Sequence, residues 1–515
     1  MASHANRPGD FELATHVSDS EDFDLDEAEF DTNRLADTSY SHNGGFGKRL
    51  QSLISILLPG RLRQRGYRPL SRPKTHQTLK VRRRRRCCSW FPIGAGLLAA
   101  MVVLTSIFNP SYTQPPKHYQ ELRDRVQLSN EEGLANPQKE KVFIAASIYD
   151  RGGHLLRGAW GEAVLQLIDL LGNNNVFLSI YENNGDEDTA TAQTAFREKV
   201  RCKHSIVYDR DFIMEDVPHV ELPDGSRRVK RIAFLADVRN KALDPLEEEA
   251  ATIQFDKILY LNDVIFDPID AAQLLLSTNQ GEDGSTSYRA ACAVDFINPF
   301  KFYDTFASRD AEGFSMGVPF FPWFTSSGNG ISRQDVLQGT DAVRVKSCWG
   351  GMVAFDAKPF QAREPLRFRS SMDLYWDASE CCLIHADLAR EGAIDEAYDF
   401  GIYMNPYVRV AYGERSLSWL HLTRRFERLY TVAHSIINRL VGLPWSNSRR
   451  DQQKGSMFDD KVWVPNRNLD TGGSFQQLER EAKGDGFCGR RGLQLLKQSP
   501  GEGDKNWENM PVPLG

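Results

Sequence analysis

From residue 141 onward, short apolar runs alternate with longer segments of helical periodicity. The apolar runs predict β-strands at 141–148, 175–182, 257–263 and 288–294. Between them, helical spacing or strong helix formers predict helices at 158–172, 188–200, 229–249 and 268–278. Alternation of strands and helices favours a doubly wound α/β sheet, in which functional side chains gather beyond the carboxyl ends of the strands.

One segment before residue 141 is uniformly apolar. Residues 90–108 are nineteen residues without a charge, and a helix of that length spans roughly 28 Å, close to the thickness of the bilayer hydrocarbon core. Twelve Lys and Arg residues lie from Arg61 to Arg86, so the positive-inside rule places this flank in the cytoplasm. We therefore predict a type II signal anchor at 90–108, with a buried core helix as the alternative.

Charge patterning describes the rest of the N-terminal region. Ten acidic residues and no basic ones lie from Asp10 to Asp31, so we predict that 1–89 is a disordered cytoplasmic arm, acidic and then basic. A nuclear-targeting or nucleic-acid patch is the alternative for the basic run. The net charge of −6 over 515 residues gives no general attraction for nucleic acid. Residues 109–140 contain four prolines and predict a stem.

Polar clusters follow the predicted strands. Residues 149–153 follow the first strand, residues 182–186 the second, and Asn262 and Asp263 the third. The Asn-Asp pair offers hard oxygen ligands for Mg²⁺ or Mn²⁺ bridging a nucleotide diphosphate, although such a pair is also common in turns. The first turn has no GxGxxG motif, and GxxxxGK[ST] does not occur in the sequence. Nicotinamide enzymes and P-loop ATPases are therefore disfavoured.

Two later segments carry further candidate chemistry. Trp349 precedes Gly350 and Gly351, which together offer an apolar stacking face and a backbone that permits close approach; a tight turn packed by a core Trp is the alternative. A dense titratable group can supply a metal ligand and a catalytic carboxylate; charges on a solvated helix are the alternative. Its members are Asp373, Asp377, Glu380, His385 and Asp387.

The cysteines agree with an oxidising compartment. Six follow the predicted anchor: Cys202, Cys292, Cys348, Cys381, Cys382 and Cys488. An even number in a secretory lumen favours disulfides, and six cysteines allow fifteen pairings. Binding of metal by these thiols is disfavoured because no CxxC spacing occurs.

Seven motifs taken together resemble the fungal capsule-associated α-1,3-mannosyltransferase family. In chain order they are IYDRGGHLLRGAWGEAVLQLI, IYENNGDEDTA, FLADVRNKALDPL, YLNDVIF, CAVDFINPFKFYDTFASRD, CWGGMVAF and SECCLIHADL. The resemblance covers about 143–412, with a weaker tail at 486–491. It implies a GT-A-like domain, a Rossmann-like mixed sheet flanked by helices, in a type II glycosyltransferase of the Golgi or another secretory-pathway membrane.

The resemblance also implies an activity and the roles of individual residues. The implied reaction is transfer of mannose from GDP-mannose to a mannose-containing glycan in α-1,3 linkage, with Mn²⁺ or Mg²⁺, in cell-wall or capsule synthesis. Asp263 and His385 are the predicted metal ligands, and Glu380 and Asp377 are the predicted catalytic residues. The family-wide Asp-x-Asp motif is reduced here to Asn262-Asp263. The predicted donor-binding residues are Ser147, Tyr149, Glu182, Asn183, Arg239, Asn240, Trp349, Gly350 and Gly351.

The sequence leaves other functions open. One alternative is a catalytically silent membrane scaffold for polysaccharide synthesis or export, and another is a transferase that uses a UDP-sugar. We expect a luminal catalytic domain at 141–425 and a C-terminal extension at 426–515. From about residue 451 the extension is expected to be a loose tail that returns to the domain near Cys488.

Overall fold

The structure is a computed structural model that describes residues 81–513, except 130, 184, 211, 213, 250–251, 390–397, 467, 470 and 499–505; the side chains of 81–92 also lie outside the description. The described residues from Met101 onward form one compact unit, and those before it belong to a second. Most of the predicted disordered arm, 1–80, lies outside the described residues.

A ten-stranded mixed sheet forms the centre of the larger unit, in the order β3-β2-β1-β6-β11-β7-β13-β10-β9, with β8 paired to β7. Strands β3, β2, β1 and β6 are parallel, and β11 runs antiparallel to both β6 and β7. The strands are β1 Val142–Ile148, β2 Val176–Asn183, β3 Lys203–Asp209, β6 Lys257–Leu261, β7 Ala290–Asn298, β8 Lys301–Phe302, β9 Arg309–Asp310, β10 Val343–Ser347, β11 Met352–Asp356 and β13 Ile402–Ala411. The α/β prediction of a mixed sheet flanked by helices is confirmed.

Helices follow the strands at the predicted places, although the segment predicted at 229–249 forms two helices rather than one. The helices are α1 Val81–Phe108, α2 Lys117–Leu128, α3 His154–Arg157, α4 Ala159–Leu171, α5 Glu187–Arg197, α6 Arg231–Lys241, α7 Asp244–Glu249, α8 Pro268–Ser277, α9 Ile331–Gln338, α10 Glu380–Leu388, α11 Glu414–Thr423 and α12 Tyr430–Val441. Their boundaries have local causes. For example, Asp267 accepts a hydrogen bond from the Ile269 amide, and Pro268 opens α8.

The core has two layers, one on each face of the sheet. Side chains along β1 alternate between them, since Phe143 belongs to one cluster and Ile144 to the other. Strand β6 does the same with Tyr260 and Leu259. A β-strand directs successive side chains to opposite faces. Both faces of these strands are therefore buried, which explains their nearly continuous apolar sequence.

The predicted stem is folded against the domain. Helix α2 buries Tyr119 and Leu122, and Arg123 forms an ion pair with Asp270 at 2.7 Å. The Gln273 side chain donates a hydrogen bond to the Tyr119 carbonyl at 3.0 Å. Residues from Lys117 onward thus belong to the folded unit.

The C-terminal extension contains regular structure where a loose tail was expected. Its strands are β14 Met457–Pro465, β15 Gly473–Glu481, β16 Gly489–Arg491, β17 Gln494–Leu496 and β18 Trp507–Asn509. Three short strands lie earlier in the chain: β4 His219–Glu221, β5 Arg227–Val229 and β12 Trp376–Ala378. Strand β16 pairs with β12, beside the disulfide Cys382–Cys488. A second disulfide joins Cys292 to Cys348, whereas Cys202 and Cys381 are free and buried.

Helix α1 contains the predicted anchor, and its side chains from Ile93 to Phe108 are mostly exposed. Among the residues that the structure describes, no helix is both long enough and apolar enough to cross a membrane.

Candidate active site

The carboxyl ends of β1 and β6 lie side by side, because these strands are parallel neighbours. The Tyr260 hydroxyl lies 3.0 Å from Ser147 Oγ and donates to the Arg239 carbonyl at 3.2 Å. It thereby joins both strands to the last turn of α6. Ser147 and Arg239, both predicted from the resemblance as donor-binding residues, are thus connected through Tyr260.

Asn262 holds the loop after β6. Its side-chain Oδ1 accepts hydrogen bonds from Arg239 Nη1 and Trp349 Nε1, both at 3.2 Å. Its carbonyl accepts from Trp160 Nε1 at 2.8 Å, and its amide donates to the Gly351 carbonyl at 2.9 Å. Asn262 was predicted only as the partner of Asp263. Its contacts connect the loop after β6 to α4, to α6 and to the Trp349-Gly350-Gly351 turn.

Arg239 is buried between a carboxylate and three aromatic rings. Its Nε donates to Glu380 Oε1 at 3.1 Å, and its guanidinium carbon lies 4.5 Å from the centre of the Trp349 ring. Burial acts to lower the pKa of Arg239, but the neighbouring Cys381 and Glu380 outweigh it, and the pKa is raised. Arg239 is therefore a fixed positive charge in a largely apolar wall.

The Trp349-Gly350-Gly351 turn requires both glycines. Gly350 and Gly351 have φ of +62° and +67°, a region that favours glycine. A Cβ at Gly350 would lie 2.0 Å from the Ala293 carbonyl oxygen, and one at Gly351 would lie 2.6 Å from a Val264 methyl carbon. The turn thus presses directly against β7 and the loop after β6, which positions the Trp349 ring over Arg239.

Asn240 has a positioning role in this structure. Its side-chain amide donates to the Phe368 carbonyl at 2.9 Å and accepts from the Phe368 amide at 2.8 Å. Phe368 in turn packs edge-on against Trp349. Asn240 therefore supports the aromatic wall, and its predicted contact with the nucleotide stays a prediction.

The carboxyl end of β2 forms a second part of the site. Glu182 is fully buried and accepts two hydrogen bonds from the Asp150 amide, at 3.0 and 3.1 Å. Burial raises the pKa of Glu182 to about 8. The buried Asn183 side-chain nitrogen has no hydrogen-bond partner among the described residues, which leaves a donor for a ligand. Tyr149 is half-buried at the end of β1.

Two carboxyl groups that the sequence analysis did not single out, the buried one of Asp295 and the half-buried one of Asp304, lie close to each other. Asp295 in β7 accepts from the Asp304 amide at 3.2 Å and from the Tyr412 hydroxyl at 3.3 Å. Burial, followed by the charge of Asp304, raises the pKa of Asp295 well above its usual range. Asp263 is half-buried, and its charge acts on Tyr412 as well as on Tyr303.

Burial is the main reason that the pKa values of Tyr412 and of Cys381 in α10 lie well above their usual ranges, and the charge of Asp304 adds to both shifts. Both Asp295 and Asp304 lie in the motif CAVDFINPFKFYDTFASRD. An aspartate within an otherwise apolar strand was the available signal.

His385 is fully buried beside the Cys292–Cys348 disulfide. Its Nε2 lies 2.6 Å from the Cys348 carbonyl and must donate to it. Its Nδ1 has no hydrogen-bond partner among the described residues. Burial lowers the pKa of His385 to about 4, so the ring is neutral. A neutral imidazole whose other nitrogen is fixed by a carbonyl has the chemistry of a metal ligand, although both nearby cysteines are oxidised. Its role as a ligand stays a prediction.

The protein itself contacts both carboxylate oxygens of Asp377, one through an ion pair and the other through a hydrogen bond. Oδ1 lies 2.9 Å from Lys230 Nζ, and Oδ2 accepts from the Gln494 amide at 2.7 Å. Lys230 is fully buried. The predicted catalytic role of Asp377 stays a prediction, but these contacts favour a structural role.

The central part of the chain matches a known protein family. The family profile described as "Cryptococcal mannosyltransferase 1" matches residues 141–387. No curated protein sequence matches the chain at a significant level.

The structure is distantly similar to solved glycosyltransferase structures. Mannosyltransferase PcManGT from Pyrobaculum calidifontis, in complex with GDP-Man and Mn²⁺, is 11% identical over 67% of this chain and 75% of its own, with a TM-score of 0.32. Glucosyl-3-phosphoglycerate synthase from Mycobacterium tuberculosis, with Mg²⁺ and UDP, is 11% identical over 72% and 96%, with a TM-score of 0.30. Mannosyl-3-phosphoglycerate synthase from Rubrobacter xylanophilus is 14% identical over 72% and 94%, with a TM-score of 0.28. Similarity this distant says nothing about residue roles.

Proposed function

Because residues 141–387 belong to the cryptococcal mannosyltransferase 1 family, in agreement with the predicted resemblance, we propose that the chain transfers mannose from GDP-mannose to a mannose-containing glycan in α-1,3 linkage. The observation that carries the proposal is the convergence of Arg239, Asn262, Trp349 and Glu380 at the carboxyl edge of the sheet. These groups come from four separate segments.

The donor site divides into a nucleotide part and a diphosphate part. Asn183, with its unpaired buried nitrogen, and Glu182 offer polar contacts to base and ribose. Arg239 offers a positive charge for the diphosphate as negative charge develops on departing GDP. Trp349 supplies an apolar face for the sugar.

A divalent cation fits the chemistry of the residues present. Asp263 supplies hard oxygen atoms after β6, and the free Nδ1 of neutral His385 is a competent ligand. We propose that these residues hold Mn²⁺ or Mg²⁺. The cation would act as a Lewis acid for the diphosphate leaving group.

Glu380 is the carboxylate that contacts Arg239. It orients the Arg239 guanidinium through one oxygen and can stabilise positive charge that develops on the mannose ring. Transfer from an α-linked donor to an α-linked product retains configuration. Glu380 therefore need not remove a proton from the acceptor, as it would in an inverting enzyme.

We further propose a type II, single-pass topology in a Golgi or other secretory-pathway membrane, with residues 90–108 as the anchor. The uncharged length of this segment and the twelve basic residues before it support the proposal. The two disulfides of the folded unit agree with an oxidising lumen.

The test is sugar transfer by the purified full chain in detergent. GDP-mannose or UDP-sugars are supplied with short mannosides, in Mn²⁺ or in a chelator, and Asp263→Asn is compared with the loop variant Asp283→Asn. We expect transfer only from GDP-mannose, lost with the chelator and in Asp263→Asn and retained in Asp283→Asn. A folded chain that transfers from no donor and does not bind GDP would favour the scaffold function, and transfer from a UDP-sugar would change the donor.

A further inference from the structure

Helix α12 has its polar side chains turned inward and its apolar side chains turned outward. His434 and Asn438 are only 1% and 5% exposed. Val432, Ile436 and Leu440, spaced four residues apart, are 70%, 55% and 62% exposed. A surface helix of a globular domain normally shows the opposite arrangement.

The inward polar face is well satisfied, so the orientation of α12 is specific. His434 Nδ1 accepts hydrogen bonds from Arg333 Nη1 at 3.0 Å and from the Asn438 side-chain nitrogen at 2.9 Å. Asn438 Oδ1 accepts from the Val318 amide at 2.8 Å. Rotating the helix to bury its apolar face would leave these polar groups without partners, at a large cost.

Residues close to α12 in the sequence include further exposed apolar side chains. Trp419 and Leu422 on α11 and Trp445 after α12 are exposed, as is the basic residue Arg439. Several large apolar side chains exposed together mark an interaction surface. Tryptophan beside basic residues is typical of the interface between lipid headgroups and acyl chains.

The position of α12 along the chain indicates what this surface contacts. Arg428, two residues before α12, donates from Nε to the Pro110 carbonyl at 3.3 Å, and the Ser111 amide donates to the Arg424 carbonyl at 2.9 Å. Helix α1 ends at Phe108, and two residues of chain span at most about 7 Å. The residues that lead into α12 thus contact the residues that directly follow the apolar segment.

We propose that α12, together with Trp419, Leu422 and Trp445, lies in the interfacial layer of the same bilayer that residues 90–108 cross. This inference rests on the proposed type II topology. The docked helix would hold the folded unit against the luminal membrane surface rather than letting it swing on a free stem. The catalytic site would then act at a fixed height above the lipid.

The test uses the full chain reconstituted in phosphatidylcholine vesicles, with an environment-sensitive fluorescent amino acid at one position per preparation. The positions are Ile436 on the proposed surface, Val103 in the anchor and Val207, an exposed apolar residue on edge strand β3, as the matched control. Lipids that carry a quencher at a shallow depth of the acyl chain are then added to the vesicle composition.

We expect shallow-lipid quenching at Ile436 that is at least several-fold stronger than at Val207, and strong quenching at Val103. Quenching at Val103 with Ile436 equal to Val207 would overturn the docking and leave the anchor intact. Quenching at Ile436 without quenching at Val103 would support the docking and overturn the topology. A blue-shifted signal at Ile436 that lipid quenchers do not reduce would overturn the proposal. It would show that this surface is covered by protein, either a partner or a second copy of the chain.

Discussion

Two buried cations lie at opposite ends of helix α6, and their surroundings differ. Lys230, at the N-terminus, is bound by the carbonyls of Ser371, Asp373 and Trp376 and by Asp377. Arg239, in the last turn, has one carboxylate, one amide oxygen and a wall of aromatic rings. Lys230 has its hydrogen-bonding capacity filled by the protein and stabilises the fold. Arg239 is held in orientation but keeps guanidinium donors for a ligand.

The largest predicted effect is a loss of stability when Lys230 is replaced. Lys230→Met leaves Asp377 and three carbonyls without their cation, so we expect a loss of about 3–5 kcal/mol in the free energy of unfolding. Chemical denaturation of the full chain measures it. Lys203→Met is the control, since Lys203 is an exposed residue paired to Glu249 at 3.5 Å, and such pairs contribute about 0–1 kcal/mol. Equal stability of the two variants would contradict a structural role for Lys230.

The next comparison separates two carboxylates three residues apart. Glu380→Gln removes the ionic partner of Arg239, and we expect sugar transfer to fall about 10²–10³-fold, the usual effect of losing one electrostatic group at a reaction centre. Asp377→Asn should instead lower the melting temperature and leave the transfer rate of the folded fraction close to wild type. A large loss of transfer in folded Asp377→Asn would restore its predicted catalytic role.

A smaller loss of stability is expected for a substitution in the turn that carries Trp349. Gly350→Ala places a methyl group against the Ala293 carbonyl, and we expect a loss of more than about 2 kcal/mol of stability together with weaker donor binding. Gly339→Ala is the matched control, because Gly339 also has positive φ, at +81°, but has open space around its Cβ position. Thermal melting measures both variants. A similar loss of stability in the two would show that the close contact with the Ala293 carbonyl is unimportant.

The smallest predicted effect is a pH dependence of stability that comes from Glu182. The pKa of Glu182 is raised from 4.5 to about 8 by burial, so the folded state holds this proton more tightly than the unfolded chain. Its contribution to stability is complete below about pH 4.5 and is lost as the pH rises towards 8. Glu182→Gln should therefore be more stable than wild type at pH 8, by about 1–2 kcal/mol, with the difference shrinking towards pH 5. A difference in stability between the variant and wild type that does not change with pH would contradict a raised pKa for Glu182.

The sequence predicted the elements that follow from local periodicity. Strands β1, β2 and β6 occur within one to two residues of their predicted bounds, because strands buried on both faces are continuous apolar runs. The strand-end rule singled out Asn262 and Asp263, whereas Arg239 was predicted only from the family resemblance.

Other features depend on contacts that no local pattern contains. Asp377 and Glu380 are three residues apart with similar neighbours, and only the fold shows that Lys230 binds one and Arg239 the other. Asp295 lies in one of the seven motifs but was not singled out, because its burial and its contact with Asp304 appear only in the fold. The stem and the C-terminal extension lacked a sustained apolar period, because their order comes from packing against the domain.

The most direct test of the central claim is mannose transfer from GDP-mannose by Arg239→Lys, measured beside its melting temperature. Lysine keeps the positive charge but cannot bind Glu380, Asn262 and a diphosphate at once as the guanidinium fork can. We predict that transfer falls about 10–100-fold, equivalent to one or two charge-assisted hydrogen bonds, while the melting temperature stays within a few degrees of wild type. Transfer at the wild-type rate by this variant would contradict the assignment of the active site.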